Sequence, residues 1–154
     1  FFPAPLKTGT GEAAHELTEA DPQSLFAAGQ ALEDSDPRAA EEMFRRVLAV
    51  APGHVGAALN LGVLLCDAGR QEDAIRLYDD ALVRSPNEPM LQFNRAVALE
   101  DEGRDVEALA AYEACLSIAP EMADAHCNSA LLYEKLGNAQ RALRHFSAYR
   151  RLQR

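Results

Sequence analysis

The sequence repeats itself every 34 residues, and this period constrains the fold more than any other feature. Residues 21–54, 55–88, 89–122 and 123–154 align without an insertion or deletion. Periods of this length are typical of arrays built from one supersecondary unit. The recurring residues are Ala40, Ala74, Ala108 and Ala142; Phe44, Tyr78, Tyr112 and Phe146; Ala28, Gly62, Ala96 and Ala130; Gly69, Gly103 and Gly137; and Pro52, Pro86 and Pro120.

The pattern within each unit predicts a pair of antiparallel helices. In the second unit, Leu61 and Leu65 keep helical spacing before Gly69, and a second apolar series that includes Tyr78 follows it. Glycine adopts the left-handed conformation that ends many helices, and Pro86 cannot continue the second helix. Because two helices cannot bury their apolar faces alone, the units must stack. We expect helices near 55–68, 71–85, 89–102, 105–119, 122–136 and 139–153, and a first unit whose helices begin at Asp21-Pro22 and Asp36-Pro37.

The repeat resembles the tetratricopeptide repeat over residues 21–154, as four consecutive units. The resemblance implies an all-α fold, a right-handed superhelical α-solenoid of antiparallel helix pairs whose first helices line a concave groove. The first unit departs from the pattern, since Ser35 stands where the other units have glycine. The matching residues of the second unit are Leu61, Gly62, Leu65, Gly69, Ala74, Tyr78, Ala81 and Pro86.

Residues 1–20 differ from the repeats and are interpreted as an N-terminal linker or extension. They hold two prolines and two glycines, followed by a short helical pattern over 12–19. The TGTGE segment lacks the spacing and the preceding strand of a phosphate-binding loop. We expect Phe1 and Phe2 to dock on an apolar surface. A start without Met and a preference for Arg over Lys suggest a fragment or processed form of a bacterial protein.

The composition favours one soluble domain in a reducing cytoplasm, with no membrane segment. Hydrophobic residues make up 48% of the chain and charged residues 25%. No apolar run approaches the length that crosses a bilayer. The three cysteines, Cys66, Cys115 and Cys127, are an odd number and do not suggest a disulfide framework. We interpret them as small hydrophobic residues rather than nucleophiles.

No group of residues predicts catalysis, a cofactor or a metal site. His15, His54, His126 and His145 show no spacing that suggests shared ligation, and His126 and Cys127 diverge on a helix. No Ser, His and Asp arrangement is evident. We therefore predict a protein that is not an enzyme.

The resemblance places peptide-groove residues on the first helix of each unit. In the first unit these are Leu25, Phe26 and Gly29. The later units contribute an asparagine at the same position three times, an apolar strip, and several acidic residues. The groove residues we single out are Phe26, Leu59, Asn60, Val63, Phe93, Asn94, Val97, Asn128, Leu131 and Glu134.

The asparagines and the apolar strip each have two interpretations. A side-chain amide matches the backbone of an extended ligand, but it equally joins adjacent repeats. The apolar side chains receive a peptide or pack between helices, and Phe93 is the best anchor for a ligand. The cations with which some members of the family bind a terminal carboxylate are missing, since Leu59 and Asp124 stand at their positions. The groove therefore favours a neutral to basic, partly apolar peptide or protein segment.

Charge and the last helix suggest two alternatives. Five arginines follow Lys135, in a chain whose net charge is −9. The acidic rest of the chain disfavours nucleic acid, whereas the arginines favour an acidic partner, including a second copy. Self-association would use the end of the stack, with Phe146, Tyr149 and Leu152. The ending ALRHFSAYRRL also resembles repeat domains of some bacterial helix-turn-helix regulators, which would make the chain a regulatory domain of a larger protein.

Overall fold

The computed structural model describes residues 21–154, which form four antiparallel helix pairs and contain no strand. The predicted boundaries of the last six helices agree with the structure within one residue. The predictions for residues 1–20 lie outside the described residues. The helices are α1 (Pro22–Leu32), α2 (Pro37–Val50), α3 (Val55–Asp67), α4 (Gln71–Arg84), α5 (Pro89–Asp101), α6 (Asp105–Ile118), α7 (Ala123–Lys135) and α8 (Ala139–Leu152).

The helices begin and end where the sequence provides caps. The Asp21 and Asp36 carboxylates accept hydrogen bonds from the backbone N–H of Ser24 and Ala39, at 2.9 and 3.1 Å. After α3, Gly69 takes a φ of +75°, and Gly103 and Gly137 do the same after α5 and α7. The residue after each of these glycines donates back to the helix that it ends.

Consecutive helices pack against one another along the chain, and α3 also contacts α5 directly. The core is continuous across the repeats and includes the fully buried rings of Phe44, Tyr78 and Tyr112. The Tyr78 ring lies so close to Gly62 that a side chain on Gly62 would overlap it. The small and the aromatic positions of the repeat therefore lie directly against each other in the second unit.

The first repeat departs from the 34-residue spacing. Gly29 is buried and faces Phe44, where an added Cβ would lie 2.6 Å from Cε1. Gly62 faces Tyr78 in the same way, so the glycines are separated by 33 residues and the rings by 34. Ala28, which the repeat assigns to this contact, is exposed. The helix begins at Pro22, as predicted, but the alignment of Ala28 with Gly62 was wrong by one residue.

The connection after α1 explains this shift. Ser35 stands where the later repeats have glycine, and no residue other than glycine has a positive φ in residues 21–154. The chain therefore ends α1 at Leu32, one residue earlier than the pattern requires, and uses four connecting residues instead of three. Asp36 then caps α2.

None of the helices in residues 21–154 combines the length and the apolar character needed to span a bilayer.

Candidate functional site

The ten predicted groove residues all lie on α1, α3, α5 or α7, and we call the surface of these helices the first-helix face. Two of its apolar side chains are prominent, since Val63 is 47% and Leu131 52% exposed. Glu134 is also exposed, while the other seven residues are partly buried. The face therefore combines apolar side chains open to solvent with polar groups held at the edge of the core.

The larger apolar side chains of the face also pack within the stack. Phe26 contacts Phe44 and His54, with ring centroids 5.7 and 4.7 Å apart. Phe93 meets the Tyr112 ring edge-on at 5.8 Å, so part of this ring serves packing between α5 and α6. Leu59 and Val97 likewise lie against the core.

The shift of α1 changes which residues of the first repeat reach the face. Leu25 and Gly29, which the resemblance places in the groove, are buried in the core. Because of the shift, Phe26 corresponds to Leu59 of the second repeat. The 34-residue spacing would have made it correspond to Asn60. The prediction of Leu25 and Gly29 as groove residues was therefore wrong, for the same reason as the prediction for Ala28.

Each of the three asparagines contacts a neighbouring repeat. Asn128 Nδ2 donates to the Tyr112 hydroxyl at 3.2 Å, and Asn94 lies near the equivalent hydroxyl of Tyr78. In the first repeat the equivalent ring is a phenylalanine without a hydroxyl, and Asn60 Nδ2 instead donates to Glu33 Oε1 at 2.8 Å. The bonding between repeats that the sequence allows is therefore present.

These bonds leave acceptor atoms on the asparagines. Within residues 21–154, no donor reaches Oδ1 of Asn60 or Asn128. An amide whose nitrogen is held by the protein has a defined orientation, so its oxygen is available to a ligand at little entropic cost.

The two tyrosine hydroxyls beside these amides have raised pKa values. Burial raises the pKa of Tyr78 well above its ordinary range, and the nearby Asn94 amide acts in the opposite direction. Burial, and then the hydrogen bond and charge of Glu100, raise the pKa of Tyr112, while Asn128 lowers it. The Tyr112 hydroxyl donates to Glu100 Oε2 at 2.8 Å, which joins α5, α6 and α7 through one side chain.

The first-helix face is acidic. Its helices carry two cations, and each forms an ion pair with an aspartate on the second helix of the preceding repeat. Arg95 pairs with Asp79 on α4 at 2.6 Å, and Lys135 pairs with Asp105 on α6 at 2.9 Å. Within residues 21–154 no cation pairs with the acidic residues of these helices. Those acidic residues are Asp67, Glu100, Asp101, Asp124 and Glu134.

The structure also places the three residues proposed for self-association. Phe146 and Tyr149 on α8 are partly buried, and Leu152 is 40% exposed. Leu143, which the sequence interpretation did not name, is 60% exposed on the same helix. Of α8, only Ala142 is buried, so this helix presents most of its surface to solvent.

One cluster escaped the sequence interpretation. His126 and His145 lie 3.0 Å apart between their Nδ1 atoms, and Glu113 bonds both His145 and Tyr133. A signal was available, because both histidines belong to the fourth unit and therefore lie on the two facing helices of one pair. The sequence interpretation considered these histidines only as metal ligands and did not predict their contact.

Reactive groups are few in the described chain. Its three cysteines are free, and burial raises the pKa of the Cys66 and Cys115 thiols, which reduces their nucleophilic thiolate form. No cluster of three or more His, Cys, Asp or Glu side chains that could hold a metal ion occurs in residues 21–154.

Comparison with known proteins agrees with this architecture. The sequence model of the tetratricopeptide repeat matches residues 27–89 and 67–123. The chain belongs to the tetratricopeptide repeat family. This membership and the helical solenoid support a protein-interaction scaffold in a family of non-catalytic scaffolds. No curated protein sequence matches the chain significantly.

Several solved MamA structures are similar to this repeat protein. A crystal structure of MamA has a TM-score of 0.82 and 19% identity, over 92% of this chain and 84% of that chain. MamA from Desulfovibrio magneticus RS-1 has a TM-score of 0.78 and 21% identity, over 92% and 79% of the two chains. MamA AMB-1 has a TM-score of 0.72 and 26% identity, over 92% and 78%. These likenesses show the solenoid fold.

Proposed function

We propose that this tetratricopeptide repeat protein binds an extended, partly apolar and neutral to basic segment of a partner protein on its first-helix face. The observation that carries the proposal is the repetition of one asparagine on α3, α5 and α7. Asn60, Asn94 and Asn128 are each oriented by a neighbouring repeat and lie beside exposed apolar side chains. Extended segments present backbone groups at regular intervals, which suits a ligand site that repeats with the helices.

The chemistry of the face supports this class of ligand. The Oδ1 atoms of Asn60 and Asn128 can accept backbone N–H groups whatever the ligand's side chains. Val63 and Leu131 offer apolar contact on either side of α5. The unneutralised carboxylates favour Lys or Arg in the ligand and disfavour an acidic tail.

A selection from a random-peptide display library tests the proposal. Peptides enriched on the wild-type protein should combine apolar residues with Lys or Arg and should be depleted in Asp and Glu. Affinity of a selected peptide is then measured for a Val63→Arg/Leu131→Arg variant, which places cations on the face. We expect a loss of at least about tenfold, or about 1.4 kcal/mol.

A matched control variant separates the face from general effects of charge. Val83→Arg/Val106→Arg adds the same two cations on α4 and α6, at side chains that are 83% and 74% exposed. This variant should bind the peptide like the wild type. An acidic consensus, or equal binding by both double variants, would contradict the proposal.

Self-association is the second candidate function, and exposure along α8 favours it. Leu143 and Leu152 are open to solvent beside Arg144 and Arg151, neither of which pairs with a carboxylate in residues 21–154. The rest of the acidic chain offers complementary charge to a basic helix.

Sedimentation velocity tests this second candidate. Wild-type protein should form a species heavier than the monomer that dissociates in a Leu143→Asp/Leu152→Asp variant and weakens in high salt. A Val83→Asp variant should behave like the wild type. A monomer at every concentration tested would exclude self-association. A regulatory role within a larger bacterial protein stays a prediction.

A further inference from the structure

The His126–His145 pair lies at the junction of the third and fourth repeats. His126 is on α7 and His145 on α8, and their Nδ1 atoms are 3.0 Å apart. The other nitrogen of each ring contacts a different group of the third repeat. The pair therefore connects both helices of the fourth repeat to the third.

The outer nitrogen of each ring meets an acceptor. His126 Nε2 lies 2.8 Å from the carbonyl oxygen of Pro120, which can only accept, so this nitrogen carries a hydrogen. His145 Nε2 lies 3.2 Å from Glu113 Oε1, to which the Tyr133 hydroxyl also donates at 3.1 Å. An ionised carboxylate can only accept, so His145 Nε2 carries a hydrogen as well.

The inner nitrogens then need one more proton. A neutral histidine has one ring N–H, and in both rings that hydrogen is on Nε2. Without a further proton, two lone pairs would face each other at 3.0 Å. We propose that His126 and His145 form a proton-binding site, in which a single proton shared between the Nδ1 atoms holds the fourth repeat against the third and is released as the pH rises.

The ring geometry fits a proton better than a metal ion between the two nitrogens. The ring centroids are 5.3 Å apart, which is close to the 3.0 Å nitrogen separation plus the two centre-to-vertex distances of the rings. The two centroids and the two nitrogens therefore lie nearly on one line, as in an N–H···N hydrogen bond. Two histidines that chelate one ion would instead converge on it at an angle.

One acidic side chain on α6 and two basic side chains on α8 share a cleft with His145. Glu113 on α6 supplies the negative charge that meets the protonated pair, and Tyr133 on α7 stacks on the His145 ring at 5.5 Å. Arg141 and Arg144 on α8 line a cleft of about 400 Å³ together with Glu113, Tyr133 and His145. Arg141 lies over the Tyr133 ring, 5.7 Å from its centroid.

The direction of the pH effect follows from proton counting. The folded pair holds one additional proton, whereas the two independent histidines of the unfolded chain together hold more than one below about pH 6.5 and less than one above it. The folded state therefore binds more protons only above about pH 6.5. Stability falls with rising pH wherever the native state binds more protons. The contact between the repeats is therefore strongest near about pH 6.5 and weakens as the pH rises above it.

Imidazole nitrogen NMR tests the protonation state directly. We expect both rings to carry hydrogen at Nε2 and to lose their one additional proton in a single linked step. Nε2 without hydrogen on either ring, or independent changes of the two rings, would overturn the proposal.

Urea unfolding from about pH 6.5 to 8 tests the linkage. In a His54→Asn background, which keeps an acceptor at the cap of α3, the unfolding equilibrium constant should rise up to roughly tenfold with pH, about 1.4 kcal/mol. His126→Gln, His145→Gln and the double variant should all lose this dependence to the same extent. Unequal single variants, or an unchanged pH dependence, would overturn the proposal even if the variants are less stable overall.

Discussion

At the residue scale, Tyr112 connects three helices through one hydroxyl, which accepts from Asn128 and donates to Glu100. Tyr78 has Asn94 near its hydroxyl, whereas Phe44 at the equivalent place in the first repeat has no hydroxyl. The stack therefore tolerates a phenyl ring at this position. Between the first and second repeats, the asparagine amide of Asn60 then bonds to Glu33 instead of to a tyrosine hydroxyl.

Tyr112→Phe should lower stability at neutral pH by about 1–2 kcal/mol, because the Asn128 amide and the Glu100 carboxylate lose a partner. The substitution should also make the free energy of unfolding less dependent on pH in the alkaline range. The raised pKa of Tyr112 keeps it neutral in the folded state, while an unfolded tyrosine ionises near pH 10, so its contribution is complete below about pH 10 and is lost above it. Urea unfolding at pH 7 and from pH 9 to 11 measures both effects. A slope equal to that of the wild type would contradict this account.

Gly62→Ala should cost about 1–3 kcal/mol, because the added methyl group overlaps the buried Tyr78 ring. Gly53→Ala is the matched control, since nothing lies within 4 Å of its added Cβ. That change should be neutral or slightly stabilising. Thermal unfolding measures the midpoint temperatures of the two variants. Equal midpoints would show that the close approach of α3 and α4 does not limit the size of the residue at position 62.

At the element scale, the starts of the helices could be predicted, including those of the first repeat at Pro22 and Pro37, but the packing register of α1 could not. Three repeats carry glycine at the turn and keep their helices within one residue of the prediction. In the first repeat Ser35 cannot take the same backbone conformation cheaply, so α1 shifts and Leu25 and Gly29 enter the core. The sequence showed the substitution, but the size of the shift depends on how Gly29 packs against Phe44.

The connection between α1 and α2 should depend on its cap. Asp36→Ala removes the acceptor for the Ala39 N–H and should destabilise the protein by about 1 kcal/mol. Ser35→Ala, one residue earlier and also exposed, should change stability by less than about 0.5 kcal/mol. Chemical unfolding of both variants checks the difference. A Ser35 variant as unstable as the Asp36 variant would show that the serine, not the cap, holds the connection.

At the scale of the whole molecule, repetition places the same residue types on the same face of successive helix pairs. This allowed the sequence to predict the helices of the site, but not which side chains stay exposed. Phe93 and Phe26 are partly used for packing, while Val63 and Leu131 remain open to solvent. The His126–His145 contact depends on the facing of α7 and α8 and was not predicted.

The most direct test of ligand binding on the first-helix face is an NMR titration with a peptide selected on the wild-type protein. Side-chain amide signals of Asn60, Asn94 and Asn128 should shift together with the methyl signals of Val63 and Leu131. Signals of Val83 and Val106, on α4 and α6, should not move. Shifts confined to α8 or to the outer helices, with the three asparagine amides unchanged, would contradict the proposed site.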